Sequence, residues 1–367
     1  MPLTMYVDGD RWRSHLRRSL SRQPLLVPVA KGNGYGFTNA RLARRAQWLG
    51  VDTLAVGTYA ELADVAQRFA GDLLVLSPWR PTEVSPEAEH PRRVIHTVGR
   101  LEDISALASQ GSGRGGGPRV VLELLTSMRR HGFDADQLRK AARVPGLRVE
   151  GVALHLPLGI VSHVVEVERL LGDVAAAGLD RASRRGATLW VSHLTGAEIE
   201  TLASRYPDFA FRPRVGTDLW LGERDALRVR ATVLDAHQVE RGDRFGYRGR
   251  TAPRAGTILV VSGGTAHGIG LESPSGEASI RARAVALARG GLDAAGFVRS
   301  PYTVTGKRRL FAEPPHMQVS MLFLPGAATV PAIGAEVDVR VRHTATTFDQ
   351  VVISQPSSGG PGKSGTN

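Results

Sequence analysis

The chain has no cysteine among its 367 residues. Disulfide frameworks, cysteine-ligated zinc, iron–sulfur clusters and thiol nucleophiles are therefore excluded. It also has no run of 18 apolar residues, so no segment is predicted to cross a membrane as a helix. Its first residues carry neither the basic stretch nor the apolar core of a signal peptide. We therefore expect a soluble, cytoplasmic protein without a membrane partner.

Lysine is scarce, although the chain is basic overall. The sequence has 47 lysines and arginines against 35 acidic residues, a formal net charge of +12, and the only lysines are Lys31, Lys140, Lys307 and Lys363. Positive charge of this size is one property of nucleic-acid-binding proteins. The arginines, however, are spread along the chain without a run of five, so we expect a small-molecule ligand rather than nucleic acid.

Residues 1–222 alternate between strand-like and helix-like segments. The eight predicted strands are Leu25–Val29, Thr53–Val56, Leu73–Leu76, Val94–Val98, Arg119–Leu125, Val149–His155, Thr188–Ser192 and Phe211–Arg214. Strands that alternate with helices pair in parallel through right-handed crossovers. Eight repeats over this length predict an N-terminal (β/α)8 TIM barrel, and a doubly wound sheet is the alternative.

Residues 223–356 have a different pattern, with strand-like segments separated by turns. Strands are predicted at Val229–Leu234, Thr257–Ser262, Gln318–Leu324 and Glu336–Val341, with one short helical stretch at Ala284–Ala288. We therefore predict a C-terminal, mostly-β domain. Residues 357–367 form a polar tail rich in glycine and serine, which we expect to be disordered.

In a barrel of this kind the active site lies at the C-terminal ends of the strands. Lys31 directly follows the first predicted strand and is followed by Gly32, Gly34 and Gly36. A lysine there can be a solvated surface residue, the usual situation for lysine, or a Schiff-base lysine that reaches a carbonyl in a partly dry pocket. The glycines favour the second interpretation because they allow a ligand to approach the backbone closely.

Five segments resemble motifs of the alanine racemase family, in the family's order. Residues 30–36 (AKGNGYG) are similar to its pyridoxal phosphate lysine motif, and the other segments are residues 126–132, 214–220, 242–247 and 316–321. The resemblance implies a TIM barrel followed by a β-domain, with pyridoxal 5'-phosphate as cofactor. It also implies an amino-acid racemase that interconverts L- and D-alanine, or a similar small amino acid, as a head-to-tail homodimer.

The resemblance also implies a role for each matching residue. Lys31 forms the Schiff base and acts as one acid–base, His155 lies beside the pyridine ring, and Arg214 faces its nitrogen. By the same resemblance, the cofactor phosphate is held by Tyr35, Ser192, Gly216 and Thr217. Arg130 contacts the phenolic oxygen of the cofactor or the substrate carboxylate, and Met317 of the partner subunit contacts the substrate. Without the resemblance, Arg130 and Arg214 could be surface arginines and His155 a core histidine.

The sequence departs from the family pattern where racemisation needs its second acid–base. Thr265 stands where the family has a catalytic tyrosine, and a threonine hydroxyl is too weak an acid for that role. His267 is either a substitute base or a surface histidine. Further departures are Glu123 in place of a lysine, Phe348 near an expected phosphate-binding tyrosine, and Gln318 in place of an acidic residue.

These departures leave two functions open. The first is a pyridoxal-phosphate-dependent racemase of alanine or a similar small amino acid. The second is a homologue that binds the same cofactor but lacks the second base, and that carries out single-face chemistry, such as decarboxylation or retro-aldol cleavage, or has no turnover. The tyrosine missing at position 265 is the residue that separates the two.

Overall fold

The computed structural model describes residues 2–82, 92–110, 117–159, 161–180, 187–271 and 298–355. The chain divides into two compact units. The barrel unit runs from Ser14 to Gly222, and the β-unit combines Met1–Arg13 with the residues from Glu223 onward.

The structure alternates strands with helices up to Gly222 and consists mainly of strands after it. The strands are β1 (Leu3–Val7), β2 (Val27–Ala30), β3 (Thr53–Val56), β4 (Asp72–Pro78), β5 (Val94–Val98), β6 (Arg119–Leu124), β7 (Arg148–His155), β8 (Ala187–Ser192), β9 (Phe209–Val215), β10 (Leu227–Val239), β11 (Arg244–Phe245), β12 (Arg250–Thr251), β13 (Gly256–Ser262), β14 (Arg299–Val304), β15 (Lys307–Phe311), β16 (Val319–Pro325), β17 (Glu336–Val339) and β18 (Gln350–Ile353). The α-helices are α1 (Gly9–Arg22), α2 (Asn39–Leu49), α3 (Leu62–Ala66), α4 (Leu101–Gln110), α5 (Ala135–Ala141), α6 (Val164–Ala176), α7 (Gly196–Arg205) and α8 (Thr217–Leu221).

Strands β2 to β9 form a closed barrel in which each strand pairs in parallel with the next and β9 pairs with β2. This confirms the (β/α)8 prediction and excludes the doubly wound alternative, whose sheet is open. The centre of the barrel is filled by one apolar cluster: Val27, Val29, Ala55, Leu74, Ile95, Val121, Ala153 and Trp190. Burial of one large aliphatic side chain there contributes about 1.5–3 kcal/mol.

Helix α6 buries one apolar face. In α6 the buried residues Val167, Leu170, Leu171 and Val174 recur at the spacing of one helical face. Helices α5 and α7 begin with capping boxes, in which Asp134 and Thr195 accept hydrogen bonds from backbone N–H groups three residues on. These features fix where each helix starts and so where the preceding loop ends.

The β-unit contains an eight-stranded sheet in the order β13, β16, β15, β14, β17, β10, β1, β18, with a further pairing between β13 and β10. Its pairings are antiparallel except that between β1 and β18. Strand β1 lies between β10 and β18, with Leu3, Met5 and Val7 buried. The N-terminus therefore belongs to the β-unit, and the predicted barrel boundary at residue 1 differs from the structure for that reason.

Other predicted boundaries also differ from the structure. Strand β10 is much longer than the predicted Val229–Leu234, and β1, β14, β15 and β18 were not predicted. The helical stretch predicted at residues 284–288 and the tail at 357–367 lie outside the described residues. Within the described part of the chain, none of the helices combines the length and hydrophobicity required to cross a membrane.

Candidate functional site

Residues at the C-terminal ends of the barrel strands form the candidate site. Lys31 follows β2, His155 ends β7, Ser192 ends β8, and Arg214 lies near the end of β9. The charges of Arg130 and Arg214 act on both Lys31 and His155. The structure therefore places Lys31, Arg130, His155 and Arg214 near one another, although they come from separate sequence motifs.

The loop after β2 holds Lys31 through backbone contacts. The Gly32 N–H donates to Glu61 Oε1 at 2.7 Å, and Asn39 Nδ2 donates to the Gly32 carbonyl at 3.1 Å. A Cβ at Gly57 would lie 2.9 Å from the Lys31 Cβ, so the absence of a side chain at position 57 leaves room for the lysine. The sequence patterns did not single out Glu61, which joins this loop to the next one.

Lys31 is exposed at the barrel mouth, and its environment lowers its pKa. Loss of hydration among surrounding protein atoms is the largest cause, followed by the positive charges of Arg130 and Arg214. A lowered pKa increases the fraction of neutral amine, which is the form that attacks a carbonyl and accepts a proton.

Tyr35 is buried with its hydroxyl against Gly216. A Cβ at Gly216 would collide with the Tyr35 oxygen, so that only glycine fits there with the tyrosine in this position. Burial raises the pKa of Tyr35 to about 12. The phenol therefore stays protonated near pH 7 and can donate a hydrogen bond to an anion, beside the backbone of Gly216 and Thr217.

Arg214 and Glu123 are both buried in the barrel, at 7% and 3% exposure. Arg214 Nη2 donates to the Leu154 carbonyl at 3.0 Å. Burial lowers the pKa of Arg214 to about 10, which still leaves the guanidinium charged near pH 7. Among the described residues, Arg214 Nε and Glu123 Oε2 have no hydrogen-bond partner. Buried polar atoms of this kind are usually satisfied, so the pair has capacity for a further ligand.

Burial also raises the pKa of Glu123, and the charges of Arg214 and Arg130 oppose that rise. Glu123 therefore supplies a carboxyl group in the surroundings of both arginines. Glu123 is the acidic residue that stands where the family pattern has a lysine. Arg214 is not a surface arginine, whereas Arg130 is exposed.

His155 lies half-buried beside a second histidine. Its ring packs edge-on against His193, with the ring centroids 5.2 Å apart. Burial and the charge of Arg214 lower the pKa of His155 to about 3, so it is neutral near pH 7. His193 has φ of 68°, a left-handed conformation that is strained for a residue other than glycine. Its position directly after Ser192, at a strand end, was the only signal that could have identified it.

Predicted residues of the β-unit lie on two adjacent loops. The Thr265 N–H donates to the His316 carbonyl at 2.8 Å, and the Ala266 N–H donates to the Met317 carbonyl at 3.0 Å. Thr265 and Met317 are both exposed. Gln318 is also exposed. The ring centroids of Phe348 and His343 lie 6.0 Å apart.

His267 is buried, and both of its ring nitrogens have partners within the β-unit. The Gly264 N–H donates to Nδ1 at 3.2 Å, and Nε2 lies 3.1 Å from Asp349 Oδ1. Asp349 in turn accepts a hydrogen bond from the Leu3 N–H. His267 is therefore not the surface histidine that the sequence allowed, because the folded sheet buries it. Its contacts favour a structural role, which ties its loop to the sheet, over the role of a substitute base.

The described residues contain no group of three or more histidines and acidic residues that could hold a metal ion. The chemistry that the barrel mouth offers is instead that of an amine, two arginines, two histidines of lowered pKa and a protonated phenol. Such a set suits a ligand that has both a carbonyl and an anionic group.

A family model described as "Alanine racemase, N-terminal domain" matches residues 8–183. An alanine racemase from Symbiobacterium thermophilum is 30% identical over 200 residues, which cover 51% of this chain and 52% of that protein. The chain thus spans about half the length of this relative. An alanine racemase from Sorangium cellulosum is 25% identical over 75% of this chain and 79% of its own length.

Solved structures share the fold over nearly the whole chain. The alanine racemase from Bartonella henselae, described with covalently bound pyridoxal phosphate, has a TM-score of 0.69 at 15% identity, covering 96% of this chain and 100% of that one. The biosynthetic alanine racemase from Pseudomonas aeruginosa has a TM-score of 0.65 at 21% identity, covering 96% and 99%. At these identities the likeness concerns the fold.

Proposed function

We propose that the chain is a divergent member of the alanine racemase family and an amino-acid racemase dependent on pyridoxal 5'-phosphate. Its substrate is alanine or a similar small amino acid. The observation that carries the proposal is the placement of Lys31, with a lowered pKa, at a barrel mouth that also contains Arg214, His155 and the contact between Tyr35 and Gly216.

The residues at the barrel mouth fit this cofactor. Lys31 would bind its carbonyl carbon, and Arg214, whose Nε lacks a partner among the described residues, would face its ring nitrogen. The groups that would hold its phosphate are the Tyr35 hydroxyl, Ser192 and the backbone at Gly216 and Thr217. When bound, the cofactor supplies a conjugated ring that accepts the electron pair of the substrate α-carbon.

The chain's own residues set the course of the reaction. Lys31, which more readily exists as the neutral amine, removes or returns the α-proton on one face. Arg214 keeps its protons near pH 7 and therefore does not transfer one to the ring nitrogen. This limits electron withdrawal and so restricts side reactions of the carbanion. Arg130 would contact the phenolic oxygen of the cofactor or the substrate carboxylate.

The second candidate function is single-face chemistry, or binding without turnover, on the same cofactor. It is supported by the surroundings of Thr265, the residue that the motif match puts in the place of the family's tyrosine. Thr265 has only an aliphatic hydroxyl, and the ring nitrogens of His267 are engaged with Gly264 and Asp349. If no other group served the second face, decarboxylation or retro-aldol cleavage would remain as the available reactions.

The proposed partner is a second copy of the chain in a head-to-tail homodimer. In this arrangement the β-unit of one copy closes the barrel mouth of the other. The exposure of Thr265 and Met317 supports this arrangement, since both would then be able to reach the partner's substrate. A two-fold axis makes the two sites equivalent.

Chiral chromatography tests the proposed function. Protein loaded with pyridoxal 5'-phosphate is incubated separately with L- and D-alanine, and Lys31→Ala is the matched control. Each enantiomer should approach a racemic mixture with the wild type and stay unchanged with the variant. Loss of carbon dioxide or release of an aldehyde without inversion would favour the second candidate. An unchanged enantiomer with the loaded wild type would contradict racemase activity on alanine.

A further inference from the structure

Besides Thr265 and Met317, the β-unit exposes a tyrosine on the same group of loops. Tyr247, 87% exposed, packs against His316, with the ring centroids 4.4 Å apart and the planes tilted by 47°. His316 in turn accepts the hydrogen bond from the Thr265 N–H through its carbonyl and directly precedes Met317. Through His316, Tyr247 therefore lies beside the loop of Thr265, the residue that stands where the family pattern has its tyrosine.

A buried carboxylate positions this tyrosine. The Tyr247 N–H donates to Glu313 Oε1 at 3.2 Å, and His316 Nε2 lies 2.6 Å from the same oxygen. Gly246 has φ of 72°, and a Cβ there would collide with the Glu313 carboxylate. The turn that presents Tyr247 thus requires glycine, and Glu313, which is 2% exposed, holds both the tyrosine backbone and the histidine.

The other tyrosines of the β-unit are used within its fold. The Tyr302 hydroxyl is buried and donates to the carbonyls of Ser262 and Gly263, while the Tyr6 hydroxyl donates to Glu336. All six tyrosines of the chain lie in the described residues, and the remaining three, Tyr35, Tyr59 and Tyr206, belong to the barrel unit. Tyr247 is the phenol that the β-unit presents to its surroundings.

We propose that Tyr247 is the second acid–base of the racemase, supplied to the barrel of a second copy in place of the absent tyrosine. The inference rests on the proposed function. A phenol is a far stronger acid than the aliphatic hydroxyl of Thr265. It can therefore serve the carbanion face opposite Lys31, and His316 and Glu313 act as positioning residues.

The proton transfers balance without a co-reactant. For one enantiomer, the ionised Tyr247 oxygen takes the α-proton and the Lys31 ammonium returns a proton to the opposite face. For the other enantiomer, the neutral Lys31 amine takes the proton and the Tyr247 hydroxyl returns one. The carbon–hydrogen bond broken on one face is replaced by one on the other, and no electrons leave the substrate.

Removal of one phenol tests this assignment. Tyr247→Phe in holoenzyme should lower inversion of both alanine enantiomers by about 10²–10⁴-fold, the usual cost of a lost general acid–base. Exchange of the α-proton for solvent deuterium should persist for the one enantiomer that Lys31 deprotonates. Tyr6→Phe, which removes a phenol elsewhere in the β-unit, is the control and should leave both rates unchanged. Equal inversion rates in the two variants would overturn the proposal.

Subunit complementation tests whether Tyr247 acts on the partner. Lys31→Ala and Tyr247→Phe chains, each inactive alone, are expressed together and loaded with cofactor. Each mixed dimer should regain one complete site, so inversion should return to about a quarter of the wild-type value for random pairing. Absence of recovery in isolated mixed dimers would contradict transfer of the tyrosine between copies.

A chemical readout is independent of turnover. Nitration of Tyr247 by tetranitromethane, located by peptide mass, should be slowed by propionate, which is alanine without its amino group, and nitration of Tyr6 should not change. If propionate does not slow the nitration of Tyr247, the placement of Tyr247 beside the substrate is contradicted. If the wild type shows no cofactor bound to Lys31, the proposed function itself fails and this assignment falls with it. A cofactor-loaded wild type with exchange on one face only would overturn the Tyr247 assignment alone.

Discussion

Arg214 illustrates how burial separates two interpretations of one residue. Its sequence position allowed either a surface arginine or a cofactor-binding one, and the structure buries it beside Glu123 with an unpartnered Nε among the described residues. His155 is half-buried in the same surroundings, and its lowered pKa makes it a neutral neighbour rather than a competing cation. Lys31 alone among these groups combines exposure with a lowered pKa.

The buried side chain of His343 should make the free energy of unfolding depend on pH. Burial, together with the charge of Arg224, lowers its pKa to about 4. An unfolded histidine has a pKa of about 6.5, so as the pH falls the unfolded chain binds the proton first. The stability contribution of neutral His343 is therefore complete above about pH 6.5 and is lost between about pH 6.5 and 4.

Urea unfolding at pH 7.5 and pH 4.5 measures this effect. His343→Gln should lose less stability than the wild type over that interval, by about 1–3 kcal/mol. His237→Gln is the control, since its side chain is 60% exposed. An identical pH dependence in the wild type and His343→Gln would show that the histidine titrates equally in the folded and unfolded states.

A capping box stabilises the first turn of α5. Asp134 Oδ1 accepts a hydrogen bond from the Gln137 N–H at 2.8 Å, and Gln137 Oε1 accepts one from the Asp134 N–H at 3.1 Å. Asp134→Ala should destabilise the barrel unit by about 1 kcal/mol in urea unfolding. Asp136→Ala, in an exposed ion pair with Arg139 one turn on, should cost less than about 0.5 kcal/mol. Equal effects would show that the cap is not the source.

The sequence predicts some elements well because their signals are local. Thr53–Val56 and Val94–Val98 are short apolar runs, buried on both faces, and the structure gives β3 and β5 the same bounds. Strand β1 was missed because its partners, β10 and β18, are more than 200 residues away and leave no local trace. The same applies to β18, which pairs with β1.

In the candidate site, too, some residues can be predicted from local sequence, whereas others depend on contacts between distant residues. Lys31, His155 and Ser192 follow from the rule that active sites lie at strand ends. The pairing of His267 with Asp349, 82 residues away, depends on the folded sheet, and so does the contact of Tyr247 with His316. These contacts decide which histidine is structural and which phenol is available, and local spacing does not encode them.

The whole molecule joins a barrel unit that carries Lys31 to a β-unit that carries Thr265, Met317 and Tyr247. We expect these units to complete each other's sites between two copies, so the chain should be a dimer in solution. Light scattering at micromolar concentration should give about twice the chain mass of 39.4 kDa. A monomer that still binds pyridoxal 5'-phosphate tightly would contradict the head-to-tail arrangement.

We propose that Lys31 holds pyridoxal 5'-phosphate at the barrel mouth, and an absorbance spectrum tests this assignment. Purified protein mixed with the cofactor and freed of excess should show a band near ~420 nm, as expected for the cofactor bound to a lysine amine. Lys31→Ala should lack the band, while Lys140→Ala, a change on α5, should retain it. A wild type without the band, or a Lys31→Ala variant that keeps it, would contradict the assignment of Lys31 as the residue that binds the cofactor.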